Sequence, residues 1–410
     1  MLGAQGTFLR AYALKGTGNN HQACKCCKLT LKKILRVTIF IGILILFIYW
    51  PLKPKHVGNK DHRNSSEKHF AKGPVKHVAF VKTHKTGSTT AQNIFLRYGW
   101  TRDLTFVLPF SNNLYGFPNI ISLTRSLSKQ AIIPPPFNKT HDIICAHVVY
   151  NKTAFKEIMP NDTVYVGIIR DPFHQFISTI NYLKPKYFED IKGDDKLMIY
   201  LTNPKKYEPR NPIFSFTNNR MAIELGFPPE VVYSKNPEKI KQYLQELEEE
   251  FPVMLILEKF DKSLLLMQKY FKWHTKDILY IKKNIGAQTR IYSANSVTEE
   301  QLNLFKHWAS IDYQLYKHFQ DRLEKQIKEF GEDFVKQLDN FVDILRKMED
   351  FCIHKIQQPL KPGISRHIVF PANKWDAAIN VTTDDCHLLL LDEIQFIQMI
   401  RKRQYGTERL

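Results

Sequence analysis

Four short apolar runs set the framework of the chain. They are "HVAFV" (residues 77–81), "DIICAHVV" (142–149), "TVYVGIIR" (163–170) and "FPVMLIL" (251–257). Each is bounded by polar or turn-forming residues and rich in β-branched side chains. That length and composition predict strands buried on both faces, as in a parallel sheet. "DPFHQFISTINYL" (171–183) and "DKSLLLMQKYFKW" (261–273) follow two of these runs with helical spacing. "TEEQ" at Thr298–Gln301 reads as a capping box opening a helix that runs through "LFKHWASIDYQLYKHF" to Phe319. Beyond Gly331, Phe334, Leu338, Phe341 and Leu345 keep helical spacing and predict a helix packed on the core. The alternation predicts an α/β fold, a central parallel sheet with helices on both faces. The last 50 residues are less readable, and no internal repeat or low-complexity tract stands out.

One apolar stretch has a different character. "VTIFIGILILFIYWPL", residues 37–52, is uncharged over 16 positions. As a helix it spans about 24 Å, short of the ~30 Å hydrocarbon layer of a typical bilayer. A thinner membrane and snorkelling by Arg36 and Lys53 narrow the gap. Lys25, Lys28, Lys32, Lys33 and Arg36 crowd its N-terminal side, which predicts a cytosolic tail (1–36) and a type II signal anchor (37–52). Tyr49 and Trp50 would sit at the luminal interface. A cleaved signal peptide fits poorly, because more than 30 residues precede the run and no small-residue cleavage site follows. Residues 53–75 are polar and basic and read as a stem, leaving 76–410 as the luminal domain. Five N-x-[ST] triplets, at Asn64, Asn138, Asn151, Asn161 and Asn380, all lie beyond the anchor. Cys24, Cys26 and Cys27 fall on the cytosolic side, where S-acylation is an option. Of the three luminal cysteines one thiol is left over; Cys145 reads as a buried strand thiol, and whether Cys352 and Cys386 pair is open at this point.

The chain has 410 residues and a formal charge of +19. Beyond residue 52 there remain 52 basic against 40 acidic residues, so the excess is not confined to the tail. Nucleic acid is the reflex reading of such a bias. No stacking motif, zinc finger or lone basic helix supports it, and a basic cleft for a charged nucleotide and anionic glycans explains the charge better.

Chemistry first shows at "KTHKTGSTT", residues 82–90. It follows one apolar run and precedes a helical pattern. A helix start presents unpaired N–H groups and the positive end of its dipole, which suits phosphate. Gly87 permits close backbone approach, Lys82 and Lys85 add charge, and Thr83, Thr86, Ser88, Thr89 and Thr90 add hydroxyls. The plainer alternative is a β-turn-α corner with Ser88 or Thr89 as N-cap. A Walker A loop is excluded, because its lysine follows the second glycine whereas Lys85 precedes Gly87. A second stretch, "YVGIIRDPFHQFISTINY" (165–182), ends a strand in Arg170 and starts a helix near Pro172.

"KTHKTGSTTAQNIFLRYG" resembles the 5′-phosphosulfate-binding loop of Golgi carbohydrate sulfotransferases, in particular the galactose 3-O-sulfotransferase family, which includes galactosylceramide sulfotransferase. Arg170, Pro172 and Ser178 match the R-x-P-x-x-x-x-x-S pattern that contacts the 3′-phosphate of 3′-phosphoadenosine 5′-phosphosulfate (PAPS) in sulfotransferases. The likeness covers most of residues 77–320 and is looser over the C-terminal 60. It implies a P-loop-like sulfotransferase fold and transfer of sulfonate from PAPS to the 3-hydroxyl of a terminal β-galactose on a glycolipid or glycoprotein glycan, in the Golgi membrane. It assigns Lys82, Thr83, Thr86, Gly87, Ser88, Thr89 and Thr90 to the phosphosulfate, Arg170 and Ser178 to the 3′-phosphate, and Lys85 to the leaving oxygen. The lysine supplies the positive charge, so the chemistry requires no metal. The acceptor proton needs a base near neutrality, and His84 and His147 both qualify. One departure is Cys145-Ala146-His147, where the family commonly has Cys-Asn-His, which leaves acceptor specificity open. Rival readings are transfer to another sugar position (uronyl 2-O or galactosamine 4-O), a glycosyltransferase, and a membrane-tethered glycan-binding protein. The absence of any D-x-D triplet weighs against the second, and the two phosphate motifs against the third.

Overall fold

The computed structural model describes residues 73–110, 116–283, 291–355 and 366–406. The segments predicted as cytosolic tail (1–36) and signal anchor (37–52), nearly all of the predicted stem, Asn64, Cys24, Cys26 and Cys27 lie outside the described residues. Among the described residues no helix is long and apolar enough to cross a membrane.

The labelled elements, in chain order, are β1 (Val78–Val81), α1 (Ser88–Trp100), β2 (Ile143–Ile144), β3 (Val164–Ile169), α2 (Pro172–Leu183), α3 (Arg220–Glu224) and β4 (Val253–Ile256). There follow α4 (Phe260–Phe271), α5 (Glu299–Trp308), α6 (Ser310–Phe330), α7 (Glu332–Asp350), the hairpin β5 (His367–Phe370) and β6 (Ile379–Thr382), α8 (Thr383–Leu390) and α9 (Glu393–Tyr405). The first four strands form one parallel sheet in the order β2-β1-β3-β4, flanked by helices. β1 and β4 are buried at every position, as their continuous apolar runs require. Phe80 of β1 stacks on Phe95 of α1 at 4.7 Å, and both are fully buried. Burying each such ring contributes about 1.5–3 kcal/mol.

Two predicted elements are cut short, each for a tertiary reason. The run 142–149 forms a strand only at Ile143–Ile144. From Cys145 the chain peels away to pair with another segment: the His147 N–H donates to the Asn119 carbonyl at 2.8 Å and the Ile121 N–H to the His147 carbonyl at 2.9 Å. Cys145 is thus buried and free but beyond the strand, and His147 sits in an isolated parallel bridge to Ile120 instead of at a strand end. The predicted helix 299–319 is two helices broken at Ala309. Asn219 Oδ1 accepts the N–H groups of Ile311 and Asp312, both at 3.0 Å, and so caps a new helix start. The Thr298–Gln301 capping box is present.

Of the last 50 residues, less readable as pattern, those described (366–406) fold against the sheet domain. Asn93 of α1 donates to the Leu388 carbonyl at 3.0 Å, and Phe396 of α9 meets Trp100 edge-on. Cys352 and Cys386 form a disulfide across 34 positions. A cross-link over a loop of that length stabilises by about 3–4 kcal/mol. Cys352→Ser should therefore lower the Tm by several degrees, measured by thermal melting against wild type; an unchanged Tm would show that packing alone holds this segment.

Candidate active site

The carboxyl ends of β1 and β3, neighbours in the sheet, carry the two motifs. After β1 the chain turns through Lys82–Gly87 into α1. Gly87 sits at φ 74, a backbone that favours glycine, and a Cβ there would lie 2.5 Å from Leu257 Cδ1, which would have to move. Lys85 also has positive φ, 61, a strained backbone for a side chain with Cβ. No side chain caps α1 and its first turn holds no acid. The Thr90 N–H donates to the Gly87 carbonyl at 3.0 Å, while the N–H groups of Ser88 and Thr89 precede the intrahelical ladder.

The loop hydroxyls are spent on the protein itself. Ser88 and Thr86 donate to the Thr83 carbonyl at 2.7 and 3.1 Å, and Thr83 donates to the Ile168 carbonyl of β3. Thr89 donates to Glu393 at 3.0 Å, and Thr90 accepts from the Lys283 N–H at 3.0 Å. They lock the loop.

Arg170 follows β3 directly, and its Nη1 donates to the Lys85 carbonyl at 3.1 Å. Residues 85 positions apart in sequence thus meet. Pro172 opens α2, and Asp171 caps it through the His174 N–H at 2.9 Å. Gln175 Nε2 donates to the His84 carbonyl at 3.1 Å. Lys85 Nζ rests 3.4 Å from the ring centroid of Tyr182. Ser178, half-buried, is three residues beyond Gln175 and four before Tyr182, on the helix face that carries both. Burial, then the nearby Arg170 and Lys82, pull the Lys85 ammonium down to about 8.

The two histidines stack, ring centroids 3.9 Å apart, but their edges differ. His147 Nδ1 donates to the Lys82 carbonyl at 2.9 Å, and Nε2 accepts from the Lys82 ammonium at 3.1 Å. His84 Nδ1 is bonded to Glu224, whose other oxygen accepts the His84 N–H at 2.7 Å. His84 Nε2 has no partner among the described residues. Burial lowers the pKa of both rings; Glu224 raises that of His84 in part, whereas His84 and Lys82 lower that of His147 further. Burial disfavours the Glu224 anion, yet Arg220 at 2.8 Å and His84 hold its pKa at about 2. Glu224 is placed by reciprocal capping: Asp312 of α6 accepts the Ala222 N–H at 2.8 Å while Asn219, before α3, caps α6.

His84, His147 and Glu224 also bring ligand-type atoms within 4.8 Å of one another. The Lys82 ammonium and the Arg220 guanidinium already press on this group, so a divalent cation would enter among fixed positive charges. Sequence reasoning missed Glu224, Glu393 and Asn119. Glu393 Oε1 accepts from Lys82 at 2.7 Å and from Asn119 at 2.6 Å. Nothing local marks these residues, which reach the loop only through the fold.

Comparison with known proteins agrees with this picture. The Galactose-3-O-sulfotransferase family model matches residues 17–404. The chain is 26% identical over 353 residues to human galactose-3-O-sulfotransferase 2, covering 82% of this chain and 86% of the relative. It is 28% identical over 304 residues to the mouse protein of that name, covering 72% and 73%. To human galactosylceramide sulfotransferase it is 26% identical over 284 residues, covering 68% and 64%. The chain belongs to the galactose-3-O-sulfotransferase family and is a carbohydrate sulfotransferase.

Proposed function

We propose that the protein transfers sulfonate from PAPS to the 3-hydroxyl of a terminal β-galactose on a glycolipid or glycoprotein glycan, acting in the Golgi lumen from a type II anchor at residues 37–52. The observation that carries the donor assignment is the Arg170 to Lys85 contact, which joins both phosphate motifs at adjacent strand ends, where open parallel sheets bind ligands. The galactose acceptor is supported by the family match.

PAPS supplies the sulfonate and a bisphosphate leaving group. Lys85 and the amides at the start of α1 bind the 5′-phosphosulfate, and Arg170 with Ser178 binds the 3′-phosphate. His84 Nε2 takes the acceptor proton, with Glu224 fixing the ring through Nδ1–H. Lys85 meets the charge that builds on the leaving oxygen as the sulfur–oxygen bond breaks in an in-line displacement. The test is transfer of isotopically labelled sulfonate from PAPS to a panel of β-galactosides, uronosides and galactosaminides. Label on galactose, at position 3 by product mapping, is the expected result; label elsewhere, or none, rejects the reading.

Two further outcomes follow. Arg170→Ala should weaken binding of the 3′,5′-bisphosphate product by about tenfold or more, since charge-assisted bonds are worth ~1.5–3 kcal/mol; equal affinity by calorimetry would remove the assignment. EDTA should leave transfer intact. Loss of activity restored by a divalent ion would instead assign His84, His147 and Glu224 to a metal.

A further inference from the structure

Glu393, the first residue of the C-terminal helix α9, ties together three segments that converge on the stacked histidines. Its Oε1 accepts from the Lys82 ammonium at 2.7 Å and from Asn119 Nδ2 at 2.6 Å; its Oε2 accepts from the Thr89 hydroxyl at 3.0 Å. Lys82 belongs to the loop before α1, and Thr89 to the first turn of α1. Asn119 belongs to the segment whose carbonyl holds the His147 N–H. The Lys82 side chain is 2% exposed and that of Glu393 12%. A buried ammonium needs such a partner. Its other neighbour, His147 Nε2, is neutral and cannot neutralise it.

We propose that Glu393 is a positioning residue for sulfonate transfer: it holds Lys82 on the His147 side of the loop, so that Lys85 alone meets the leaving oxygen. The inference rests on the donor reading above. Lys82 and Lys85 lie three positions apart on one turn, and an untethered Lys82 ammonium would compete for the same anionic groups. With Glu393 in place, Lys82 buttresses the histidine stack, and the strained turn at Lys85 aims the second lysine separately. The C-terminal segment thereby becomes part of the site, and the disulfide just before α9 helps to fix the segment that delivers Glu393.

The experiment uses the full-length chain with Glu393→Gln, which keeps the side chain's shape and an acceptor for Thr89 but removes the charge. Product binding is read by calorimetry with the 3′,5′-bisphosphate, and turnover under saturating PAPS and galactoside. The freed lysine should bind the product severalfold more tightly, while kcat falls about 10–10²-fold through misplacement. Glu393→Asp, which keeps the charge, should recover part of kcat. Opposite movement of affinity and kcat is a signature that lost packing does not produce, since lost packing lowers both together with the Tm. Any result in which the two do not move in opposite directions overturns the proposal. A wild-type protein that neither binds the bisphosphate nor transfers sulfonate would overturn the donor reading, and this inference with it.

Discussion

His84→Asn is expected to lower kcat by about 10²–10⁴-fold, the usual scale for a lost general base, and to abolish the acidic limb of the kcat/KM profile. The two stacked histidines are not equivalent. His147 has both ring nitrogens engaged by one residue, Lys82. To take a proton its Nε2 would have to expel a buried ammonium, and burial together with that ammonium keeps its pKa well below the ordinary histidine value. His84 has a carboxylate on Nδ1 and, among the described residues, no partner on Nε2, so a proton gained at Nε2 produces a cation beside Glu224. Burial still lowers its pKa. The ring is therefore neutral near pH 7 and competent as a base, and activity falls only as pH drops through that depressed value. Glu224→Gln removes a charge that favours the imidazolium, so the acidic limb should move to still lower pH with slower turnover. His147→Asn should cost less and act mostly on KM. Near-normal kcat in His84→Asn together with an inactive His147→Asn would reverse the assignment.

The difference between the histidines marks where the sequence stops being informative. Buried parallel strands are apolar on both faces, so β1, β3 and β4 announce themselves as runs, and the turn after β1 announces itself by lysines, a glycine and hydroxyls. What a run does not encode is the point at which its pairing partner changes. Cys145 to Val149 is as apolar as a strand, yet it leaves the sheet because Asn119–Ser126 supplies a competing set of hydrogen bonds. The break at Ala309 has the same origin, an asparagine 90 positions upstream capping a helix that local pattern would have continued. Glu224 and Glu393 carry no local signal in the sequence. They become site residues because α3 is docked by the exchange of caps with α6, and α9 by its packing on α1. Three cysteines leave one thiol over whichever two pair, so the bond between Cys352 and Cys386 was open in the sequence and is fixed by the fold. The hydroxyls of the loop were legible as residues, but their partners were not.

Lys85→Ala is expected to lower kcat by roughly 10²–10³, the scale for removing one preorganised electrostatic group, with a smaller effect on binding of the bisphosphate product. The side chain is poised for that role. Its backbone is held in a strained left-handed turn, Arg170 anchors its carbonyl, and its ammonium lies on the Tyr182 ring. Burial and two neighbouring cations lower its pKa to about 8, so it holds its proton less tightly than an ordinary lysine. A cation is needed as charge develops on the leaving oxygen, so the lysine must be protonated on binding the donor. The kcat/KM for PAPS should then decline as pH rises through about 8. Arrival of the anionic donor raises this pKa, so the basic limb of kcat itself should lie at higher pH. Lys85→Arg keeps the charge at all accessible pH values. It should restore part of the rate and move the basic limb of kcat/KM upward. A basic limb that stays at the same pH in Lys85→Arg would show that another group is titrating, and would transfer the leaving-group role away from Lys85.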